Sequence, residues 1–514
     1  MPSVVAICGI GLVLFSSLFR RCSGRRQHHL PPGPKGLPII GNVAQLLDRK
    51  WLMERCKHEY GDLVYLNVLG QSTIVINSQK IASDLLDKKS SIYSSRPRLV
   101  VARDILCGGM LFPFSPHTDQ WRRMRRGAHE GFKKSVSDTF HEIQTKEAVI
   151  LTLELMADPS ARDQHFARFS TSLVMSVTYD YPSLGSGEDK NIIQIEAFIS
   201  RLKAASAPGA HLADILPWMT KIPSRLAKWK RDAEEWHQRY TEMFEDLLGA
   251  VRVKLENGID RPSLSATLIK EQQRLSLSTT EAAWLAGTMY AAGTETTTSV
   301  LAWWTLAMVV YPETQKRAQA EIEEVVGRAR PPNFTDLPHL QYVRAMVKEV
   351  LRWRQPLPLG IPHATTEDDW YKGMFIPKGS TVFPNLRPCN LDPSVYGDDA
   401  DKFNPERFLD RKGNSQARSA ETKEDGHSAY GFGRRLCVGR HVANDSLFIA
   451  FATILWAVNI DSARDEVGNP IHVDVDGYED TGLVHRPVPF ACTVTPRFPD
   501  AQSLLEHEHE LRVR

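Results

Sequence analysis

A ten-residue stretch near the C-terminus, Tyr430-Gly431-Phe432-Gly433-Arg434-Arg435-Leu436-Cys437-Val438-Gly439, sets one cysteine among glycines with an arginine two residues before it. A thiolate is a soft metal ligand, a guanidinium holds anions through a planar fork, and glycine lets backbone approach a flat ligand closely. The combination spells a haem-thiolate loop; a buried structural cysteine beside a glycine-rich turn is the alternative. A second group, Ala292-Gly293-Thr294-Glu295-Thr296-Thr297, carries an alcohol and an acid. Thr296 lies one turn after Ala292 on the same helix face and can donate a hydrogen bond at a reacting centre. Glu295 sits about 100° further round the helix and can feed protons only from the side, through water. A polar helix with a solvated glutamate is the alternative there.

Three further groups are weaker alone. Trp121 and Arg125, at i and i+4, put an indole and a guanidinium on one helix face, suited to a cofactor carboxylate or to a plain basic surface. Glu349-Val350-Leu351-Arg352 pairs an acid and a base at i and i+3, and Pro405-Glu406-Arg407-Phe408 adds a second arginine that can join them. The tail Glu506-His507-Glu508-His509 reads as solvated.

These groups need elements to hold them. Ser278 with Glu281 forms a capping-box pattern, and Pro312 suits the start of the next helix, so a helix of about 48 Å is expected from Thr279 to Val310, with the alcohol and acid at its centre. The following helix should run from Pro312 to Val326 and end at Gly327. Val64 to Val68 and Thr73 to Ile76 read as a hairpin around Leu69-Gly70-Gln71-Ser72. Arg96 to Pro116 reads as an irregular loop that lines a pocket or packs as core. An apolar patch at Ile215, Leu216, Pro217 and Trp218 is assigned to core packing, with substrate or membrane contact as the alternative, and Asp410 to Ser428 reads as an exposed loop.

At the N-terminus, residues 3 to 19 carry no charge and Arg20, Arg21, Arg25 and Arg26 follow at once. This is a retained signal anchor that leaves the arginines and the body of the protein in the cytosol; a cleaved secretory leader is the alternative. Pro31-Pro32-Gly33-Pro34-Lys35-Gly36-Leu37-Pro38 then reads as a stiff spacer. The expected organisation is an anchor over 1–19, a basic and proline-rich hinge over 20–42 and a catalytic domain over 43–514. Seven cysteines without close pairing fit a reducing compartment. A formal net charge of +2, with no zinc spacing and no RNA-binding signature, excludes an electrostatic case for nucleic acid.

Taken in order, the anchor, the proline segment, Trp121 with Arg125, the Ala292 to Thr297 motif, Glu349 with Arg352, Pro405 to Phe408 and the Cys437 loop resemble the cytochrome P450 superfamily. The likeness is to its membrane-anchored, microsomal type, over nearly the whole chain. It implies a mainly α fold, a helical prism with small β-sheets around a buried haem b. It makes Cys437 the axial ligand, gives Trp121, Arg125, Arg435 and His363 to the propionates, and places Ala292, Tyr430 and Gly439 at the cofactor. Glu349, Arg352 and Arg407 become a buried network that locks the fold. Thr296 and Glu295 supply protons for monooxygenation of a lipophilic C–H or C=C bond, in a pocket expected from Met110, Leu111, Phe112, Met289, Ala292, Leu357, Leu359 and Leu483.

Gly431-Phe432-Gly433 lacks the last glycine of a dinucleotide fingerprint, so electrons are expected from NADPH through a separate cytochrome P450 reductase, with cytochrome b5 as a second donor. The docking surface is expected at Arg122, Arg123, Lys133, Lys134 and Arg440. The motif spelling resembles fungal members that tailor secondary metabolites, which points to hydroxylation of a terpenoid at the endoplasmic reticulum membrane. Two other readings keep the haem: a P450-fold isomerase or dehydratase without dioxygen activation, and a non-catalytic haem-binding protein. One departure stands out. Tyr430 replaces the phenylalanine usual seven residues before the cysteine, and a buried hydroxyl there needs a partner.

Overall fold

The computed structural model describes residues 29–184, 189–206, 210–410, 412–413 and 425–513. The expected anchor, its four arginines and most of the Asp410 to Ser428 loop lie outside that set. Among the described residues no helix is long and apolar enough to cross a membrane.

The helices that frame the molecule are α1 (Asp119–Phe132), α2 (His141–Ala157), α3 (Arg162–Tyr179), α4 (Lys190–Ser206), α5 (Lys228–Glu256), α6 (Thr279–Val310), α7 (Pro312–Val325), α8 (Gln341–Trp353), α9 (Arg440–Ala457) and α10 (Ala501–Val513). The strands are short: β1 (Leu63–Val68), β2 (Gln71–Ile76), β3 (His363–Ala364), β4 (Asp369–Tyr371), β5 (Met374–Ile376), β6 (Thr381–Pro384), β7 (Val458–Ser462), β8 (Tyr478–Asp480), β9 (His485–Pro487) and β10 (Cys492–Pro496). They form one four-stranded sheet in the order β1-β2-β6-β3 and three two-stranded ribbons. The expected mainly α architecture with small sheets is what the chain adopts.

The central helix α6 starts where its capping box places it. The Glu281 amide donates to Ser278 Oγ at 3.0 Å, and the Ser278 amide donates to Glu281 Oε2 at 3.0 Å. It is apolar nearly all round because it runs through the core, packed along α3 and α5, with Trp284 and Trp304 wholly buried. Trp304 stacks on Phe451 of α9 at 4.1 Å, which ties α6 to the helix that follows the cysteine loop. The helix after Pro312 ends one residue earlier than expected, at Val325, and Gly327 takes a positive φ of 71°.

The hairpin β1–β2 turns through Leu69 and Gly70, both with positive φ, the pair a tight two-residue turn requires. The proline-rich segment is no free spacer from residue 29 onward. The Tyr65 amide donates to Pro32 O at 2.8 Å, and a Cβ on Gly33 would fall 2.0 Å from Tyr65 O, so only glycine fits against β1 there.

Glu349 is the buried hub between α8 and the Pro405–Phe408 turn. Its Oε1 accepts from Arg352 Nη2 at 2.7 Å, Arg407 Nε at 3.0 Å and the Asn404 amide at 2.7 Å, while Oε2 accepts from Arg352 Nε at 2.6 Å. Arg352 spends its remaining donors on the carbonyls of Asn390, Ala400 and Lys402. Full hydrogen bonding is what lets these charges remain inside.

Two readings need correction. The Arg96 to Pro116 segment holds a π-helical stretch, Val100–Leu106, and a 3₁₀ turn, Phe112–Phe114. Leu216 and Trp218 are 40% and 60% exposed, so they do not pack in the core; the side chains of Ile215 and Pro217 lie outside the described set.

Candidate functional site

The cysteine loop is held from both ends. The Cys437 amide donates to Tyr430 O at 2.9 Å, closing the loop on itself, and the Gly439 N–H is directed to the Cys437 sulfur. Gly433, at a φ of 53°, lets the loop thread against the chain before it: a Cβ there would fall 2.2 Å from Leu86 O. Burial pushes the Cys437 thiol up, while the Gly439 N–H and the guanidiniums of Arg125 and Arg440 pull the other way. The Tyr430 hydroxyl has the partner it needs, donating to Asn444 Oδ1 on α9 at 2.6 Å.

Beside the loop lies an excess of positive charge, with Arg96 buried and Arg125 and Arg435 half-buried. Arg435 donates from Nε to Ser94 O and from Nη2 to Ser115 O, each at 2.7 Å, and rests its guanidinium 3.9 Å from the centre of the Trp121 ring. Phe112 stacks parallel to the same indole at 5.8 Å. Arg96, which the sequence motifs did not single out, donates to the carbonyls of Pro113, Ile361 and Pro362. Arg125 follows Trp121 by one turn of α1, whose start is capped by Thr118 Oγ1 accepting from the Trp121 amide at 3.3 Å. Burial brings Arg96 down to about 9, and burial with Arg96 and Arg125 brings Arg435 down to about 8. His363 on β3, with Nδ1 2.7 Å from Tyr93 O, is held well below its usual range by burial and by Arg96, and is therefore neutral.

None of the three guanidiniums is paired with a carboxylate among the described residues, and both Trp121 Nε1 and Arg435 Nη1 are buried without a partner. Convergent donors, surplus positive charge and two orphaned N–H groups fit a buried dianion such as the two propionates of haem. Cys437 supplies the soft ligand that haem iron takes. The donor set therefore fits the group that the sequence motifs imply.

On α6, Ala292 is exposed and Thr296 is half-buried, with Thr296 Oγ1 donating to Ala292 O at 2.9 Å. Gly293 faces α3. A Cβ there would fall 2.8 Å from Val174 on α3, so the glycine serves helix packing and Ala292 alone presents the small face. Glu295 has a partner the sequence did not reveal: Lys203 on α4 forms an ion pair with its Oε1.

Of the pocket residues, Met110, Leu111, Phe112 and Met289 are buried in the main core that also holds Trp121. Leu357 and Leu483 are half-buried. Leu359 is brought elsewhere, packing on the cluster of Trp51, Leu52, Val64 and Val75 beside the first sheet. On the expected docking surface, Arg122 pairs with Asp119, Arg123 with Glu281 and Lys133 with Glu130; Lys134 and Arg440 have no carboxylate partner among the described residues.

Comparison with known proteins converges on one family. The family model described as Cytochrome P450 matches residues 31–472. A cytochrome P450 monooxygenase of Armillaria gallica is 53% identical over 94% of this chain and 93% of its own length. A second relative, cytochrome P450 monooxygenase 58 of Postia placenta, is 44% identical over 98% of this chain and 95% of its own. A solved structure of zebra fish cytochrome P450 with abiraterone superposes with a TM-score of 0.69 at 25% identity, covering 87% of this chain and 99% of that one.

Proposed function

Because the chain belongs to the cytochrome P450 family and is a monooxygenase of that family, we propose that it hydroxylates a terpenoid or a similarly lipophilic secondary metabolite, with Cys437 as the thiolate ligand of haem b. The observation that carries the haem assignment is the unpaired cationic set of Arg96, Arg125 and Arg435, joined by Trp121 Nε1, beside Cys437. When bound, a thiolate-ligated haem activates dioxygen for insertion of one oxygen atom.

The chain's own residues do the rest. Trp121 and the guanidiniums bind the propionates and orient the porphyrin, and the Gly439 N–H steadies the sulfur of Cys437. Glu349, Arg352 and Arg407 fix the Pro405–Phe408 turn against α8. Thr296 offers a hydroxyl next to the small Ala292 face, and Glu295 stands to the side, ion-paired with Lys203. The pocket reading rests on Met110, Leu111, Phe112 and Met289, all apolar, which suits a hydrophobic substrate and shields the reacting atoms from water.

The organisation into an anchor over 1–19, a hinge over 20–42 and a catalytic domain over 43–514, at the endoplasmic reticulum, belongs to the same proposal. Exposed Leu37, Ile39 and Leu47 near the start of the described chain support it, since such residues favour an apolar phase. A separate NADPH-dependent reductase is the electron donor, and Lys134 and Arg440, which have no carboxylate partner among the described residues, are the basic groups offered to it.

The test is turnover of a terpenoid panel by membranes holding this protein and a reductase, under isotopically labelled dioxygen. Products that carry one labelled oxygen atom and need NADPH are expected. Product formation that proceeds without dioxygen or NADPH would establish an isomerase instead.

A further inference from the structure

Outside the haem site, one cluster joins the turn before α2 to the helix that follows the cysteine loop. His141, the first residue of α2, sits between Asp138 and Asp445, and its Nε2 lies 3.6 Å from a carboxylate oxygen of each. The ligand atoms of the three side chains all fall within 4.8 Å of one another. Both contacts fall within ion-pair range and beyond hydrogen-bond range. An N–H···O hydrogen bond spans about 2.7 to 3.2 Å, so neither contact is one. Tetrahedral zinc with nitrogen and oxygen ligands separates neighbouring donor atoms by about 3.3 to 3.5 Å, within a few tenths of what is found.

Independent features point the same way. His141 Nε2 is fully buried and has no hydrogen-bond partner, although it is aimed between two acids. The ring is fixed by parallel stacking on Phe334 at 3.6 Å. Asp445 is buried, and its Oδ2 accepts from Ser137 Oγ at 3.0 Å, the kind of outer contact that orients a ligating carboxylate. The frame is rigid, because Gln144 Nε2, one turn along α2, donates to Val442 O at 3.1 Å and to Ser446 Oγ at 3.0 Å on α9.

We propose that Asp138, His141 and Asp445 form a binding site for one divalent transition metal ion of the zinc class, with a water molecule in the fourth position. One imidazole with two carboxylates suits zinc and is a poor set for calcium or magnesium, which take oxygen ligands in greater number. The ion ties α2 to α9 and replaces two acids facing one histidine by coordinate bonds. Asp445 adjoins Asn444, the residue that anchors the Tyr430 hydroxyl, so the metal stiffens the helix behind the haem ligand.

The experiment uses the full-length, haem-loaded protein without an affinity tag, dialysed against Zn²⁺ and assayed for bound metal. One zinc per chain is expected in the wild type and in the His507→Ala/His509→Ala control, and none in His141→Ala or Asp445→Asn. The thiolate-type carbon monoxide band verifies that each variant is folded. His141 is partly exposed, so its variant carries the test should Asp445→Asn misfold. Zinc-edge X-ray absorption on the wild type should report nitrogen and oxygen neighbours. A wild type that takes up no zinc would overturn the proposal, as would undiminished zinc in His141→Ala or sulfur in the zinc shell.

Discussion

Tyr430→Phe isolates one bond in the cysteine pocket. The substitution keeps the ring and leaves the Cys437 amide bond to the residue 430 carbonyl untouched, but removes the hydroxyl that donates to Asn444 at 2.6 Å. Asn444 is half-buried, so water can reach part of what is lost, and the net cost is about 1 kcal/mol. For a chain of 514 residues the melting temperature then falls by only about 1 °C. The assay that resolves this is a double-mutant cycle of Tyr430→Phe with Asn444→Leu, following loss of the thiolate-type carbon monoxide band on heating. The two single changes should not add, and the coupling should come to about 1 kcal/mol. The band itself should be unchanged in all three variants at low temperature, because the sulfur contacts are backbone and not phenol. Strict additivity, or a Tyr430→Phe protein at least as stable as the wild type, would refute the latch.

Glu349→Gln strips buried Arg352 of its counter-charge, while Arg407 keeps Asp399, and should cost about 3 to 5 kcal/mol, seen as a large fall in haem-loaded protein per total protein. If Arg435 holds a propionate as proposed, Arg435→Gln removes a charge-assisted contact worth about 1.5 to 3 kcal/mol, so haem transfer to an acceptor apoprotein should speed up by about ten- to a hundredfold. Lys203→Met frees Glu295 from its ion pair. Both groups are partly exposed, so the expected effect is a modest drop, about two- to tenfold, in product formed per NADPH consumed, with haem content unchanged.

Features that depend on near neighbours were readable from the chain. Ser278 and Glu281 lie three residues apart and cap α6 as their spacing requires, and the Leu69-Gly70 pair turns the hairpin. The need for a partner to Tyr430 followed from chemistry alone, although Asn444 did not, since nothing marks an asparagine fourteen residues on. Arg96 reaches carbonyls more than 260 residues away, and Lys203 meets Glu295 across 92 positions, so neither leaves a local pattern. Leu359 was assigned to the pocket because it is apolar, but apolarity does not choose between two cores. Gly293 shows the same limit: small size is legible, whereas the neighbour that demands it, Val174, is not.

The clustered guanidiniums also bear on the order in which the molecule is put together. Three positive charges drawn together beside the cysteine loop repel one another, so the closing of Ser94, Ser115, Ile361 and Pro362 around Arg96 and Arg435 is uphill for the polypeptide alone. A porphyrin dianion reverses that sign, and makes prosthetic-group supply a folding reagent as well as a catalytic one. Cells short of haem should therefore accumulate this chain in an incompletely closed form, sensitive to proteolysis between Ser94 and Ser115, before any loss of catalysis per assembled molecule is seen.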